Sequence, residues 1–174
     1  MIRRLLSVFA VLLGTVVLAM PVSASTTSQT VHFSSTPDFV AYIPCSSLTG
    51  LNVISEDNGN GVMHLSFNQN GFWATGTYTG DLKVQPATNV VFDANGQPVS
   101  WDIDTSGQRP TAQGHVTDWF GANGNHNQVL VGSDTVNAQV TTSAGESVSF
   151  HMNDHIQVTA SGTVLHQFTN AACH

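Results

Sequence analysis

From Glu146 to Thr159 the chain alternates strictly. Val148, Phe150, Met152, Ile156 and Val158 fall on one side, and Ser147, Ser149, His151, Asn153, His155, Gln157 and Thr159 on the other. A period of two marks an extended strand with one dry face, since on a helix the same apolar residues would scatter around the whole circumference. The run exceeds the usual strand length of about five or six residues, as strands of barrels and strongly coiled sheets do. Asp154 is the single polar residue on the dry side, so a bulge or bend is expected there.

No stretch sustains apolar residues at helical spacing for ten positions, and turn residues recur at strand-like intervals. After a polar, frayed start over Thr26–Gln29, strands are expected at Val31–Phe33, Phe39–Ile43 and Leu51–Ile54. Asp57-Asn58-Gly59-Asn60-Gly61 has turn chemistry and precedes a strand over Val62–Asn68, with Met63, Leu65 and Phe67 inside and His64 outside. Asn70-Gly71 is the strongest hairpin signal and opens a long strand, Phe72–Gln85. Its dry face includes Ala74, Gly76, Tyr78, Gly80, Leu82 and Val84, and the two glycines there point to sharp coiling. A hairpin pairs Val90–Phe92 with Val99–Ile103 and places Trp101, Val99 and Ile103 on the dry face. Further strands are expected at Gln113–Phe120, Val129–Val131, Val136–Val140 and Thr163–Phe168, with a loop over Gly121–Gly124 and turns at Ala144-Gly145 and Ser161-Gly162. The chain is therefore expected to be all-β, an antiparallel meander of about eight to ten strands forming a closed or nearly closed barrel, with a sandwich as the alternative.

Residues 1–24 have the three parts of a secretory signal: Arg3 and Arg4, an apolar run from Leu5 to Met20, then Pro21-Val22-Ser23-Ala24. Cleavage after Ala24 leaves residues 25–174 as one barrel domain, secreted and without a membrane anchor. Arg3 and Arg4 leave with the signal, so of the four basic residues Lys83 and Arg109 remain against eleven acids. That balance excludes nucleic acid and anionic membranes as partners and suggests a surface that favours cations. Cys45 and Cys173 are the only cysteines, and in an exported chain an even pair reads as a disulfide tying the two ends of the domain.

Eight histidines are the unusual feature of the composition. His151 and His155 would share one ion on a helix, but four residues of strand span about 13 Å, too far for two bonds to one metal unless Asp154 bends the chain. His115 and His166 are further donors whose place on neighbouring strands periodicity leaves open, so the metal assignment stays unknown. Asp102-Ile103-Asp104-Thr105-Ser106-Gly107 opens like a calcium loop, but the twelfth position is Gln113 rather than a bidentate Glu, and a hairpin turn explains the stretch equally well. Trp119-Phe120, beside the Gly/Asn-rich run from Gly121 to Asn127, reads first as ordinary core packing and second as an aromatic lip at a barrel mouth. There is no Gly-x-Ser-x-Gly elbow and no cofactor motif.

Phe150-His151, His155, Gly162, Val164, Phe168 and Cys173, with Tyr78-Thr79-Gly80 upstream, resemble the closing hairpin of small secreted all-β proteins of actinobacteria, a group that lends no activity. The Gly-x-Trp that lipocalins carry near the first strand is absent, as are the several Trp of a biotin pocket. Architecture and compartment lead to a small-molecule binder that takes an apolar or cationic ligand, with His151, His155, His115 and Trp119 as candidate ligand-binding residues and no cofactor. The alternatives are a cofactor-free barrel enzyme of isomerase or cyclase type, and an extracellular structural or interaction protein. Oligomeric state is left open.

Overall fold

Alternating apolar residues can all be buried only if each strand lies beside another with matching parity, and one antiparallel sheet achieves this here. The computed structural model describes residues 26–43, 47–94, 96, 98–125, 129–159 and 163–173. The expected signal, Cys45, Asn95, His126 and the Ser161-Gly162 turn lie outside the described residues. Among those described, nine strands form a single sheet: β1 Thr27–Phe33, β2 Phe39–Tyr42, β3 Leu51–Asn68, β4 Gly71–Phe92, β5 Pro98–Ile103, β6 Ala112–Asn125, β7 Val129–Thr142, β8 Ser147–Thr159 and β9 Val164–Cys173. The paired path runs β1-β3-β4-β6-β7-β8-β9, all antiparallel, with β2 also on β3 and β5 on β4. It ends at β1 and β9 without joining them.

The inner face carries the core. Ile54, Tyr78, Leu82, Val84, Val116, Val136, Val140, Val148 and Met152 form one buried cluster, joined by Ile43 just beyond β2. Phe39 of β2 and Phe150 of β8 pack against the same cluster. The β2 and β8 regions thus meet across the core, and the sheet must be strongly coiled to bring them together. A second cluster, Met63, Leu65, Ala74 and Phe120, fills the other end. Phe33 touches both, stacked on Tyr78 with ring centroids 5.7 Å apart and planes 7° apart.

Two side chains tie the ends of strands together. The Arg109 guanidinium donates to the carbonyls of Ala87 at 3.1 Å, Leu51 at 2.9 Å and Thr49, clamping the start of β3 to β4. The Ser47 hydroxyl donates to Glu146 in the β7–β8 turn.

Four sequence expectations are corrected. Asp154 brings no bulge: β7 and β8 stay in register from Val129↔Thr159 to Thr141↔Ser147, and Asp154 points inward opposite Asp134. Asp57–Gly61 is not a turn between strands but a bulge inside β3, where the register with β4 shifts between Asp57 and Asn60 and Asn58 takes a φ of 49°. Gly121–Gly124 is strand, paired to Phe72–Thr75 of β4 and Leu130–Ser133 of β7, so two expected short strands merge into one β7. In both glycine-rich stretches aromatic rings lie over the glycines: a Cβ on Gly59 would run into Tyr78, one on Gly61 into Phe33, and one on Gly124 into Phe72. These glycines make room for rings rather than turning the chain. Finally, Val99 and Ile103 are exposed and Trp101 is half-buried, because β5 pairs only with the end of β4 that extends past the core.

Candidate functional site

Parity assigns His151 and His155 to the outward face, and the strand pairing puts His115 and Trp119 on the same face. Successive rows across β4, β6, β7 and β8 read Asp81, His115, Gln139, Ser149; then Thr79, Thr117, Asn137, His151; then Thr77, Trp119, Thr135, Asn153; then Thr75, Gly121, Ser133, His155. A shallow hollow of about 350 Å³ opens on this face, lined by His115, Thr117, Asn137, Gln139, Ser149 and His151. His115 and His151 therefore border one feature from two strands apart. Trp119 lies one row on, and its indole leans away from the hollow to lie over Gly121, with a ring carbon 3.3 Å from where a Cβ would stand. The ring is half-exposed, as is Trp73 on β4. Trp119 is thus a platform on the sheet rather than a lip at a mouth, while Phe120 turns into the core.

The hollow is held by side-chain hydrogen bonds. His151 Nδ1 lies 2.6 Å from Asn137 Oδ1 and its Nε2 lies 2.9 Å from Asn153 Nδ2, while the Thr135 hydroxyl donates to Asn153 Oδ1 at 2.9 Å. The ring is thus held through both of its nitrogens, by Asn137 on one side and Asn153 on the other. His115 Nδ1 is 3.2 Å from Asp81 Oδ1. His151 and His155 stay four residues apart on a regular strand, each with its own partner, so they do not share an ion.

His155 belongs to a different group. Its Nδ1 lies 3.1 Å from the Ser133 hydroxyl, its ring stacks on Phe168 at 5.3 Å, and His166 stands 5.8 Å away. Asn137, Asn153, Ser133 and Phe168 were not among the candidate site residues of the sequence reading. A signal for two of them existed: the Ala144-Gly145 turn sets the β7–β8 register and puts Asn137 opposite His151 and Ser133 opposite His155.

Charge is placed differently from what composition suggests. Glu56, Asp134 and Asp154 point inward and are buried, and Asp118 shares the inner face of β6 with Val116 and Phe120. Glu56 accepts a bond of 2.8 Å from the Thr36 hydroxyl. In the four rows above, Asp81 is the only acid, so the outward face is close to neutral. Asp104 accepts from the Ser106 amide at 2.9 Å in a local turn, which holds its carboxyl below the usual range. Among the described residues no group of three His, Cys, Asp or Glu is placed to hold a metal ion.

A cavity between β2 and β8, lined by Phe39, Ile43, Ile54, Glu56, Val136 and Met152 among others, measures about 30 Å³. No family model, no curated protein and no solved structure matches this chain.

Proposed function

We propose that the protein is a secreted, non-catalytic binding module that holds a neutral, hydroxyl-rich ligand, a glycan of the cell exterior, on the outward face of β4, β6, β7 and β8. The observation that carries this reading is the hollow of about 350 Å³ lined by His115, Thr117, Asn137, Gln139, Ser149 and His151, with the half-exposed indole of Trp119 one row away. Amides, hydroxyls and imidazoles offer donors and acceptors to the hydroxyls of a sugar. A half-exposed indole offers an apolar plane to the C–H face of a sugar ring. The single acid among the four outward rows favours an uncharged ligand over the cationic one that net charge suggests. In the same reading the coiled sheet closes as a barrel, with a Cys45–Cys173 disulfide stapling the β2 side to β9. Cys173 stands opposite Phe150, whose ring packs against the cluster that contains Ile43.

The test is retention on insoluble polysaccharides and on a glycan array, with Trp119→Ala and His151→Ala as variants. Losing a stacking plane worth about 0.5 to 1.5 kcal/mol weakens binding by roughly threefold to tenfold. Binding to no glycan, or equal retention of Trp119→Ala, overturns the reading. An apolar molecule carried through native mass spectrometry returns the site to the interior.

A further inference from the structure

The outward side chains at the β8–β9 seam are not part of the hollow, and their arrangement has a chemistry of its own. His155 on β8 and His166 on β9 lie diagonally across the seam, since the cross-strand pairs are His155↔Phe168 and Gln157↔His166. Their ring centroids are 5.8 Å apart with planes at 57°, and Phe168 flanks both at 5.3 Å and 5.8 Å. Two imidazoles bound to one cation through bonds of about 2.0 Å hold their centroids roughly 5.1 to 6.3 Å apart, from a tetrahedral to a linear arrangement. The observed separation falls inside that window. His155 is also held for it: Nδ1 faces the Ser133 hydroxyl at 3.1 Å, which leaves Nε2 as the nitrogen for a cation.

We propose that His155 and His166 form a two-imidazole site for a divalent transition-metal cation, copper(II) ahead of zinc(II). Paired imidazoles without thiolate or carboxylate suit these ions, and copper leads in affinity for nitrogen donors. Two protein donors leave the remaining positions to water or to a donor brought from outside. The stacked Phe168 limits the swing of the His155 ring, so less freedom is lost on binding. The two basic residues of the described chain are remote from the seam, Lys83 outward on β4 and Arg109 bonded to the carbonyls at the start of β3. The surplus of acids in the chain attracts cations at long range. The proposal is independent of the glycan reading, because neither imidazole lines the hollow.

Copper(II) titrated into the purified protein in non-coordinating buffer at about pH 7.4 decides the matter, followed by calorimetry and by electron paramagnetic resonance. The expected result is one site with two nitrogen donors. His155→Ala and His166→Ala each lower affinity at least tenfold and abolish the two-nitrogen signature, while His64→Ala, on β3, leaves both unchanged. Ser133→Ala lowers affinity by about tenfold because the His155 tautomer is no longer held. Affinity falls steeply from about pH 7.4 to 5, since each imidazole must lose a proton to bind. Copper bridging the seam also slows amide exchange along β9. Wild-type affinity in both His155→Ala and His166→Ala, an equal loss in His64→Ala, or unchanged exchange in β9 at saturating copper overturns the site. His166 lies on an exposed edge strand, so His166→Ala keeps the test valid should His155→Ala fail to fold.

Discussion

Tyr78→Phe tests the centre of the fold, because that side chain combines burial, stacking and a polar group in one place. The ring is 1% exposed, stacks on Phe33 and fills the space left by Gly59 and Gly80. Its hydroxyl donates to the Asp57 carbonyl at 3.2 Å, at the start of the β3 bulge, and stands 3.5 Å from the Ser34 carbonyl. Removing the hydroxyl keeps the apolar area and the stacking and deletes that bond, so the cost at pH 7 is about 1 kcal/mol. A second effect has the opposite sign. Burial, then the charges of Glu56, Asp57 and Asp81, push the phenol up from 10.0 to about 12. A folded value raised above the unfolded one contributes stability that is full below about pH 10 and lost as pH rises to about 12. The loss is at most about 2.7 kcal/mol over two units, before screening by water reduces it. A phenylalanine ring does not titrate, so the difference between wild type and variant should shrink from about pH 10 upward and vanish or reverse near pH 12. Urea melts at several pH values from neutral to about 11.5 measure this, with ultraviolet titration of the two tyrosines as a cross-check. Equal stability at neutral pH, or parallel pH profiles in the alkaline range, refutes the assignment of the hydroxyl to the bulge.

Arg109→Lys should cost about 2 kcal/mol in chemical denaturation, because an ammonium cannot span the carbonyls of Ala87, Leu51 and Thr49 that the guanidinium bridges. Met152→Ala, at a 3% exposed site, should cost about 2 to 5 kcal/mol, and Phe150→Ala less than the full aromatic cost because that ring is only half-buried; the reverse ranking would mean the face assignment of β8 is wrong. Gly114→Ala should prevent folding as judged by circular dichroism, since a Cβ there would run into the Gln139 carbonyl on β7. Reductant should lower the melting temperature by an amount that Cys173→Ser reproduces, with an upper limit of about 5 kcal/mol for a closed loop of this length.

Periodicity alone was enough for the class of fold and for the inside and outside of the long central strands, though not of β5, whose expected dry face is exposed. Val148, Met152 and Ile156 are buried and His151 and His155 face out, as the alternation from Glu146 to Thr159 requires. Parity is a local property of a strand, and it survives any sheet the strand joins. It also placed His151 and His155 on one face, but it carries no information on which residues of other strands become their neighbours. That depends on register across several strands, which joins His155 to His166 and Phe168, sets Asn137 beside His151, and brings His115 and Trp119 onto the same face. Glycine misleads for a related reason. Asp57–Gly61 and Gly121–Gly124 have the composition of turns, yet they are strand because Tyr78, Phe33, Trp119 and Phe72 lie over them. The chemical identity of a glycine is the same whether it frees the backbone or makes room for a ring. Only the tertiary partner distinguishes the two uses. The acids follow the same rule: composition counts eleven, but the fold turns Glu56, Asp134 and Asp154 inward and leaves Asp81 as the one acid in the four outward rows of β4, β6, β7 and β8, so net charge could not name the ligand.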